Sequence, residues 1–277
     1  MELRPRTCIL FIYSLFFIFA QSVHAEDILI FSTAPTQPPA VTVQLYKPLV
    51  ERLSAATGKR IVLKPARNFL EYTRGIQKGS YDILFDGPHF VGWRMARTGH
   101  KVIARLPGRI VFTVIAREDA GITDYSQLAG KKVCAFASPN LLTLGFMNLF
   151  PRAASQPIMV RVKSFKGALD CVKSGKGVAA VMRDKFWDKR SAEEKQHLQL
   201  LYTANHAFPH RAFSVSKRVD ARTRKAILQT LLKEGAEAPG SEILKRFRSK
   251  SFLLAKPQEY KGLGVLLKPV WGFRHAQ

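Results

Sequence analysis

Few side chains in this sequence have the type and spacing that catalysis requires. Asp86, His89 and Cys134 are the candidates for a nucleophile or an acid–base pair, and no partner stands beside any of them in the sequence. The chain contains no Gly-x-Ser-x-Gly elbow, no phosphate loop ending in Gly-Lys-Ser/Thr and no His-Glu-x-x-His. We therefore expect a protein that is not an enzyme and needs no cofactor, and an enzyme remains an alternative that these three residues would have to support.

One pair of histidines has the spacing of metal ligands. His206 and His210 are four residues apart, which would place them on one face of a helix. Pro209 between them argues against a helix, and no third ligand is evident nearby. We therefore expect no metal site.

The positive charge of the chain points to an anionic partner. Lys and Arg number 44 against 20 Asp and Glu, which gives a formal net charge of +24. Such a field attracts small anionic solutes, an anionic membrane surface or nucleic acid. Nucleic acid is not expected, because the basic residues are scattered except in short runs such as residues 245–250. The alternative is that most of this charge is simply solvated surface.

The first 25 residues have the organisation of a secretory signal peptide. Arg4 and Arg6 precede an apolar run at residues 9–20, and residues 23–25 (VHA) form a small-x-small cleavage site before Glu26. The run is shorter than the roughly 20 residues of a membrane span. We expect an exported mature chain without a lipid anchor at Cys8; the alternative is an uncleaved anchor helix.

Two cysteines remain after the export segment. Cys134 lies in a strand-like run and Cys171 in a helix-like run. In an oxidising compartment such a pair is a candidate disulfide. Two buried free thiols are the alternative, because sequence does not specify the distance between the Cα atoms.

Strand and helix patterns alternate along the mature chain. Apolar runs predict strands at 28–32, 61–64, 82–85, 101–106, 109–116, 132–136, 158–162, 178–182 and 212–215. Amphipathic and capped segments predict helices at 42–56, 69–78, 88–97, 142–150, 166–173, 220–233, 241–247 and 257–267. This alternation predicts an α/β fold with mainly parallel sheets, and the restart after Ala116 indicates a second, similar domain.

Four runs carry a family resemblance. They are residues 46–53 (YKPLVERL), 79–88 (GSYDILFDGP), 120–133 (AGITDYSQLAGKKV) and 172–180 (VKSGKGVAA). In this order they resemble the phosphate-, phosphite- and phosphonate-type solute-binding proteins of ABC importers. The resemblance implies a two-lobed periplasmic binding protein fold of type 2, with the ligand in a cleft between α/β lobes. It places residues 26–116 and 203–277 in lobe one and residues 117–202 in lobe two.

The resemblance also implies a function and its partners. The chain would capture a small anionic solute in the periplasm, such as a phosphonate or related oxyanion, and deliver it to an ABC permease in the inner membrane. We expect a monomer that binds no nucleic acid. A periplasmic sensor on the same fold, signalling to a membrane partner, is the alternative.

The ligand-binding residues implied by the resemblance include several departures from the family pattern. Where the family has Ser-Thr-Ser-Gly, residues 138–145 keep only Thr143 and Gly145 in register, and an acid that would receive an aminoalkyl group is replaced by Arg183. These departures argue against 2-aminoethylphosphonate but leave an anion site, to which Lys166 would add charge. Capping, core packing and a surface salt bridge are the alternative roles of these side chains. The expected ligand-binding residues are Tyr72, His89, Phe90, Ser138, Asn140, Thr143, Arg183 and Arg211.

Overall fold

The computed structural model describes residues 28–233, 235–236 and 241–273. The predicted export segment, residues 1–25, lies outside them. The described strands are β1 Leu29–Thr33, β2 Ile61–Leu63, β3 Ile83–Asp86, β4 Lys101–Arg105, β5 Arg109–Ile110, β6 Phe112–Arg117, β7 Lys132–Phe136, β8 Ile158–Val162, β9 Ala179–Arg183, β10 Leu198–Thr203, β11 Phe208–Pro209, β12 Ala212–Val215 and β13 Leu253–Leu254. The described α-helices are α1 Pro39–Thr57, α2 Phe69–Gln77, α3 Pro88–Arg97, α4 Leu141–Met147, α5 Phe165–Lys173, α6 Asp184–Asp188, α7 Ala192–Lys195, α8 Ala221–Lys233 and α9 Glu242–Arg246.

Two sheets organise the described residues. The first has the strand order β13-β4-β12-β3-β1-β2 and the second the order β10-β6-β9-β7-β8. β1 pairs in parallel with β2 and β3, as β7 does with β8 and β9. The other pairings are antiparallel, including β12 with β3 and β6 with β9. The α/β class is confirmed, but the expectation of mainly parallel sheets is wrong. Strands that do not follow a helical crossover, such as β6 and β12, run antiparallel to their neighbours in the sheet.

The chain crosses between the sheets twice. It leaves the first sheet after β4 and enters the second with β6; it leaves the second after β10 and re-enters the first with β12. The short antiparallel pair β5 and β11 lies in these two crossing segments. Residues 112–117 therefore pair within the second sheet. The predicted lobe boundaries, between residues 116 and 117 and between residues 202 and 203, stay a prediction.

Aromatic packing stabilises the first sheet, and a disulfide links elements of the second. Phe85 on β3 stacks on Phe213 of the adjacent β12 with ring centroids 4.4 Å apart. Cys134 on β7 is bonded to Cys171 on α5, with their Cα atoms 6.2 Å apart. The predicted disulfide is thus confirmed, and it attaches the helix to the sheet on which it packs.

The predicted helix at 257–267 is wrong. That segment forms two short 3-10 turns, Pro257–Glu259 and Leu263–Leu267, separated by Gly262 with a φ of 81°. The second turn packs against α3 at glycine contacts: a Cβ on Gly264 would lie 2.7 Å from the Cα of Trp93. Such a close approach favours the tighter turn over a regular helix. None of the helices in the described ranges is long and apolar enough to cross a bilayer.

Candidate functional site

A cleft with a volume of about 900 Å³ opens between the strand ends of the two sheets. Segments that directly follow the carboxyl ends of β1, β3, β7 and β8 line it. Arg211, which precedes antiparallel β12, reaches the same edge because Ala212 pairs with Asp86. Ligands of open α/β sheets bind at this edge. The lining residues are Ala34–Gln37, Phe69, Gly87–Phe90, Ile110, Phe136, Ala137, Pro139–Leu142, Val162, Lys163, Phe165, Arg183, His210, Arg211 and Arg246–Arg248.

Helix N-termini surround the cleft because each helix follows a strand end there. Phe69 begins α2, Pro88 begins α3 and Phe165 begins α5, and all three residues line the cleft. The N-terminus of a helix carries a partial positive charge and backbone N–H groups that favour an anion. Side chains cap α2, α4 and α5 but not α3; Asn140, for example, accepts a hydrogen bond from Leu142 N at the start of α4.

The side chains that line the cleft add an uncompensated positive charge. Five of them are cationic and none of the described lining residues is Asp or Glu. Cations that line one cleft repel one another and attract an anion that lies between them. The five cationic residues are Lys163, Arg183, Arg211, Arg246 and Arg248.

His89 joins the two walls of the cleft. Its Nε2 lies 3.0 Å from the carbonyl oxygen of Pro139, which precedes α4 on the opposite wall. Burial lowers the pKa of His89 to about 4, with a smaller opposing effect from Asp86. The imidazole is therefore neutral at pH 7, Nε2–H donates to the carbonyl, and Nδ1 is left as a buried acceptor without a partner among the described residues.

A fully buried ion pair lies below the floor of the cleft. Arg94 on α3 donates to both carboxylate oxygens of Asp86, at 2.6 and 2.7 Å, and both side chains are completely inaccessible to solvent. Tyr72 also donates its hydroxyl to Asp86. Arg94 further contacts Ser214 on β12 at 2.9 Å. Since Asp86 directly precedes Gly87, this network positions the start of α3.

Five of the expected ligand-binding residues line the cleft, and their ligand contacts stay a prediction. They are His89, Phe90, Asn140, Arg183 and Arg211. Arg183 is partly buried, and its Nη2 donates to the carbonyl of Arg109 at 3.2 Å. Arg211 lies over the ring of Phe247, with its guanidinium carbon 5.4 Å from the centroid.

Three expected residues do not line the cleft. Tyr72 is fully buried beneath it, where burial and the nearby Asp86 raise its pKa. Thr143 is buried on α4 and donates its hydroxyl to Phe136 O at 2.8 Å. Ser138 is exposed but lies outside the lining. Lys166 was expected to add charge to the site, but it pairs instead with Asp170 on the exposed face of α5, one turn along the same helix.

The sequence predictions omitted Lys163, Arg246 and Arg248 from the site. The basic run at 245–250 is visible in the sequence, but the pattern does not show which of its residues reach the cleft. Lys163 directly follows a predicted strand, and that position at a strand end is the signal that identifies it. Among the described residues, no group of three or more His, Cys, Asp or Glu is arranged to hold a metal.

Comparisons with known proteins bear on the family and on the fold. The family model described as "ABC transporter, phosphonate, periplasmic substrate-binding protein" matches residues 31–260. No curated protein matches the chain. The PhnD1 protein of Prochlorococcus marinus, solved with methylphosphonate, is 15% identical, with a TM-score of 0.64 over 88% of this chain and 98% of that one.

Two other solved structures share the fold at similar identity. A Xanthomonas citri protein bound to ATP is 16% identical, with a TM-score of 0.68 over 90% of this chain and 98% of that chain. A binding component of an ABC phosphonate transporter from Pseudomonas aeruginosa is 13% identical, with a TM-score of 0.60 over 84% and 83% of the two chains. At such identities these likenesses show the fold alone.

Proposed function

This chain belongs to the family of periplasmic substrate-binding proteins of phosphonate ABC transporters, and from that premise we propose that its cleft captures a phosphonate or related oxyanion. The family consists of binding components and not enzymes, so the resemblance in the sequence, the two-lobed fold and the expectation of a non-enzyme are confirmed. A small anionic ligand and a membrane permease are accordingly its partners. Neither the matched family nor the described residues favour the sensor alternative.

The cationic cleft is the observation that carries the proposal. Helix N-termini and five Lys or Arg side chains line it, without a carboxylate among the described lining residues. Arg183 offers the planar donor fork that matches the oxygens of a phosphonate. Asn140 caps α4, and His89 hydrogen-bonds the carbonyl of Pro139 on the opposite wall. Methylphosphonate in the similar Prochlorococcus marinus protein supports the choice of headgroup.

The location and assembly of the mature protein form part of the same proposal. Export through cleavage before Glu26 would bring the chain to the periplasm, where this family works. We expect a monomer in which residues 26–116 and 203–277 make one lobe and residues 117–202 the other. Mass spectrometry of the exported protein and its elution from a sizing column measure these two points.

Titration calorimetry of the chain from Glu26 onward tests the proposal. Methylphosphonate, phosphate and sulfate are the ligands, and glucose is the neutral control. We expect an oxyanion to bind and Arg183→Ala to weaken it by about tenfold or more, because a hydrogen-bonded charge contributes roughly 1.5–3 kcal/mol. Arg222→Ala, an exposed arginine on α8 outside the cleft, is the matched control.

Two outcomes would contradict the proposal. One is that no oxyanion binds although the protein is folded, as judged by its circular dichroism and cooperative melting. The other is that Arg222→Ala weakens binding as much as Arg183→Ala, since the net charge and not the cleft would then be responsible.

A further inference from the structure

We infer that the ligand carries a second acidic group besides its phosphonate or phosphate headgroup, and that Arg246 and Arg248 bind this group. The inference rests on the proposed function, because it concerns the same cleft. It names a substrate class: organic phosphonates or phosphates with a carboxylate or second phosphate on the tail, and without an amine.

The balance of charge is the first argument. A single headgroup carries at most two negative charges, whereas five cationic side chains line the cleft. The nearby carboxylates do not complete the balance: Asp86 is occupied by Arg94 beneath the floor, and Asp184 lies beside Arg183 but outside the lining. An amine on the ligand would meet further positive charge and no acceptor carboxylate, so a second anionic group suits the site better.

The segment Arg246–Arg248 is the second argument. It enters the cleft from the end of α9 and thus from a different element than the helix N-termini that suit a headgroup. Both arginines are exposed, and neither forms an ion pair with a described residue. Arg248 has a φ of 49° because it occupies the left-handed position after α9, where Ser249 N donates to Leu244 O and closes the helix end. The end of the helix thus brings both arginines to the cleft.

The size of the cleft is the third argument. Its volume of about 900 Å³ lies in the upper part of the range for pockets that enclose drug-sized ligands. A headgroup at the helix N-termini leaves room for a tail of several carbon atoms. Phe69, Phe136 and Phe165 form apolar wall along which such a tail can run.

Three ligands with the same headgroup and tails of similar size test the inference. In calorimetry with the chain from Glu26 onward, 3-phosphonopropionate carries a carboxylate, propylphosphonate a methyl group and 2-aminoethylphosphonate an amine. We expect the carboxylate to bind about tenfold more tightly than the methyl compound, as one charge-assisted hydrogen bond provides. The amine should bind most weakly.

Two variants locate the second group. Arg246→Gln removes the charge while keeping a polar side chain, and Arg248→Asn removes it with a residue that tolerates the left-handed conformation. We expect each to reduce the ratio of the carboxylate affinity to the methyl affinity by about threefold or more. Arg222→Ala should leave this ratio unchanged.

The outcomes separate the inference from the proposed function. If propylphosphonate binds as tightly as 3-phosphonopropionate, or if the ratio survives in both variants, the inference is overturned while phosphonate capture stands. If none of the three ligands binds the folded protein, the proposed function and the inference fail together. A preference for the amine compound overturns the inference alone.

Discussion

Arg94 and Asp86 form a bidentate ion pair from which solvent is completely excluded, immediately below the floor of the cleft. Asp86 ends β3, and Arg94 lies two turns into α3, the helix that begins at the cleft. The pair therefore attaches the strand to the helix across the Gly87–Pro88 turn. Both charges need each other, because either one alone would remain buried without compensation.

Arg94→Met should destabilise the protein by about 3–5 kcal/mol, since it leaves the Asp86 carboxylate buried and unpaired. Adding Asp86→Asn to this variant should recover part of the loss, because it removes the remaining charge. Urea denaturation measures both effects. Arg97→Met, on the exposed side of the same helix, is the control and should cost well under 1 kcal/mol. If the free-energy costs of Arg94→Met and Asp86→Asn simply add in the double variant, the two residues are not coupled.

Acidification should destabilise the protein through its buried histidines. Burial lowers the pKa of His89 to about 4 and the pKa values of His100 and His210 to about 3. The unfolded chain protonates these residues near pH 6.5. It therefore binds more protons than the folded protein below that pH, and stability falls until the folded pKa values are reached.

The loss for His89 should amount to about 2 kcal/mol at pH 5 relative to pH 7. Denaturant unfolding at a series of pH values measures it. His89→Gln should reduce the slope of the unfolding free energy against pH between pH 6.5 and pH 4, by the equivalent of up to one bound proton. A curve of the same steepness in the variant would show that His89 does not titrate with unfolding.

Gly87→Ala should weaken anion binding by displacing His89. Gly87 has a φ of −68°, which alanine adopts without strain, but a Cβ there would lie 2.6 Å from Cε1 of His89. The imidazole must then move, and its hydrogen bond to Pro139 across the cleft breaks. We expect the affinity for the oxyanion to fall by about threefold to tenfold, which corresponds to the loss of one neutral hydrogen bond.

A double-mutant cycle isolates this mechanism. In a His89→Ala background, Gly87→Ala should have little further effect on affinity, because the clashing ring is gone. Equal losses in both backgrounds would mean that the alanine acts on the turn itself and not through His89.

Removing the disulfide should lower stability by about 3–4 kcal/mol, as the chain-entropy model gives for a sequence separation of 37 residues. The Cys134→Ala, Cys171→Ala double variant and the reduced protein should unfold at similarly lower urea concentrations. Intact mass before and after reduction shows whether the bond is present. Free thiols in the oxidised, folded protein would contradict the pairing.

Local patterns in the sequence predicted most elements well. The strands at 132–136, 158–162 and 212–215 lie where the apolar runs place them. Asn68 accepts a hydrogen bond from Glu71 N and caps α2, as its position before an amphipathic run indicates. These features depend on neighbours within a few residues, which is why a single sequence carries them.

Side-chain surroundings were predicted less well, because distant segments create them. Tyr72 is as buried as any core residue, and its hydroxyl donates a hydrogen bond to Asp86, which lies on another element. Thr143 turns toward the end of its preceding strand and away from the cleft. The helix at 257–267 failed for the same reason: close contact with α3 selects a tighter turn.

By itself, the sequence determined the α/β class and the family, because periodicity and short motifs are properties of the chain, and it left the two cysteines as either a disulfide or two free thiols. Only the tertiary structure decided which charges meet. It brought Arg211, Arg246 and Lys163 from three separate segments to one cleft and placed Asp86 opposite Arg94. Charge acts through space and depends on solvent exclusion, and neither distance nor burial can be read from positions along a chain.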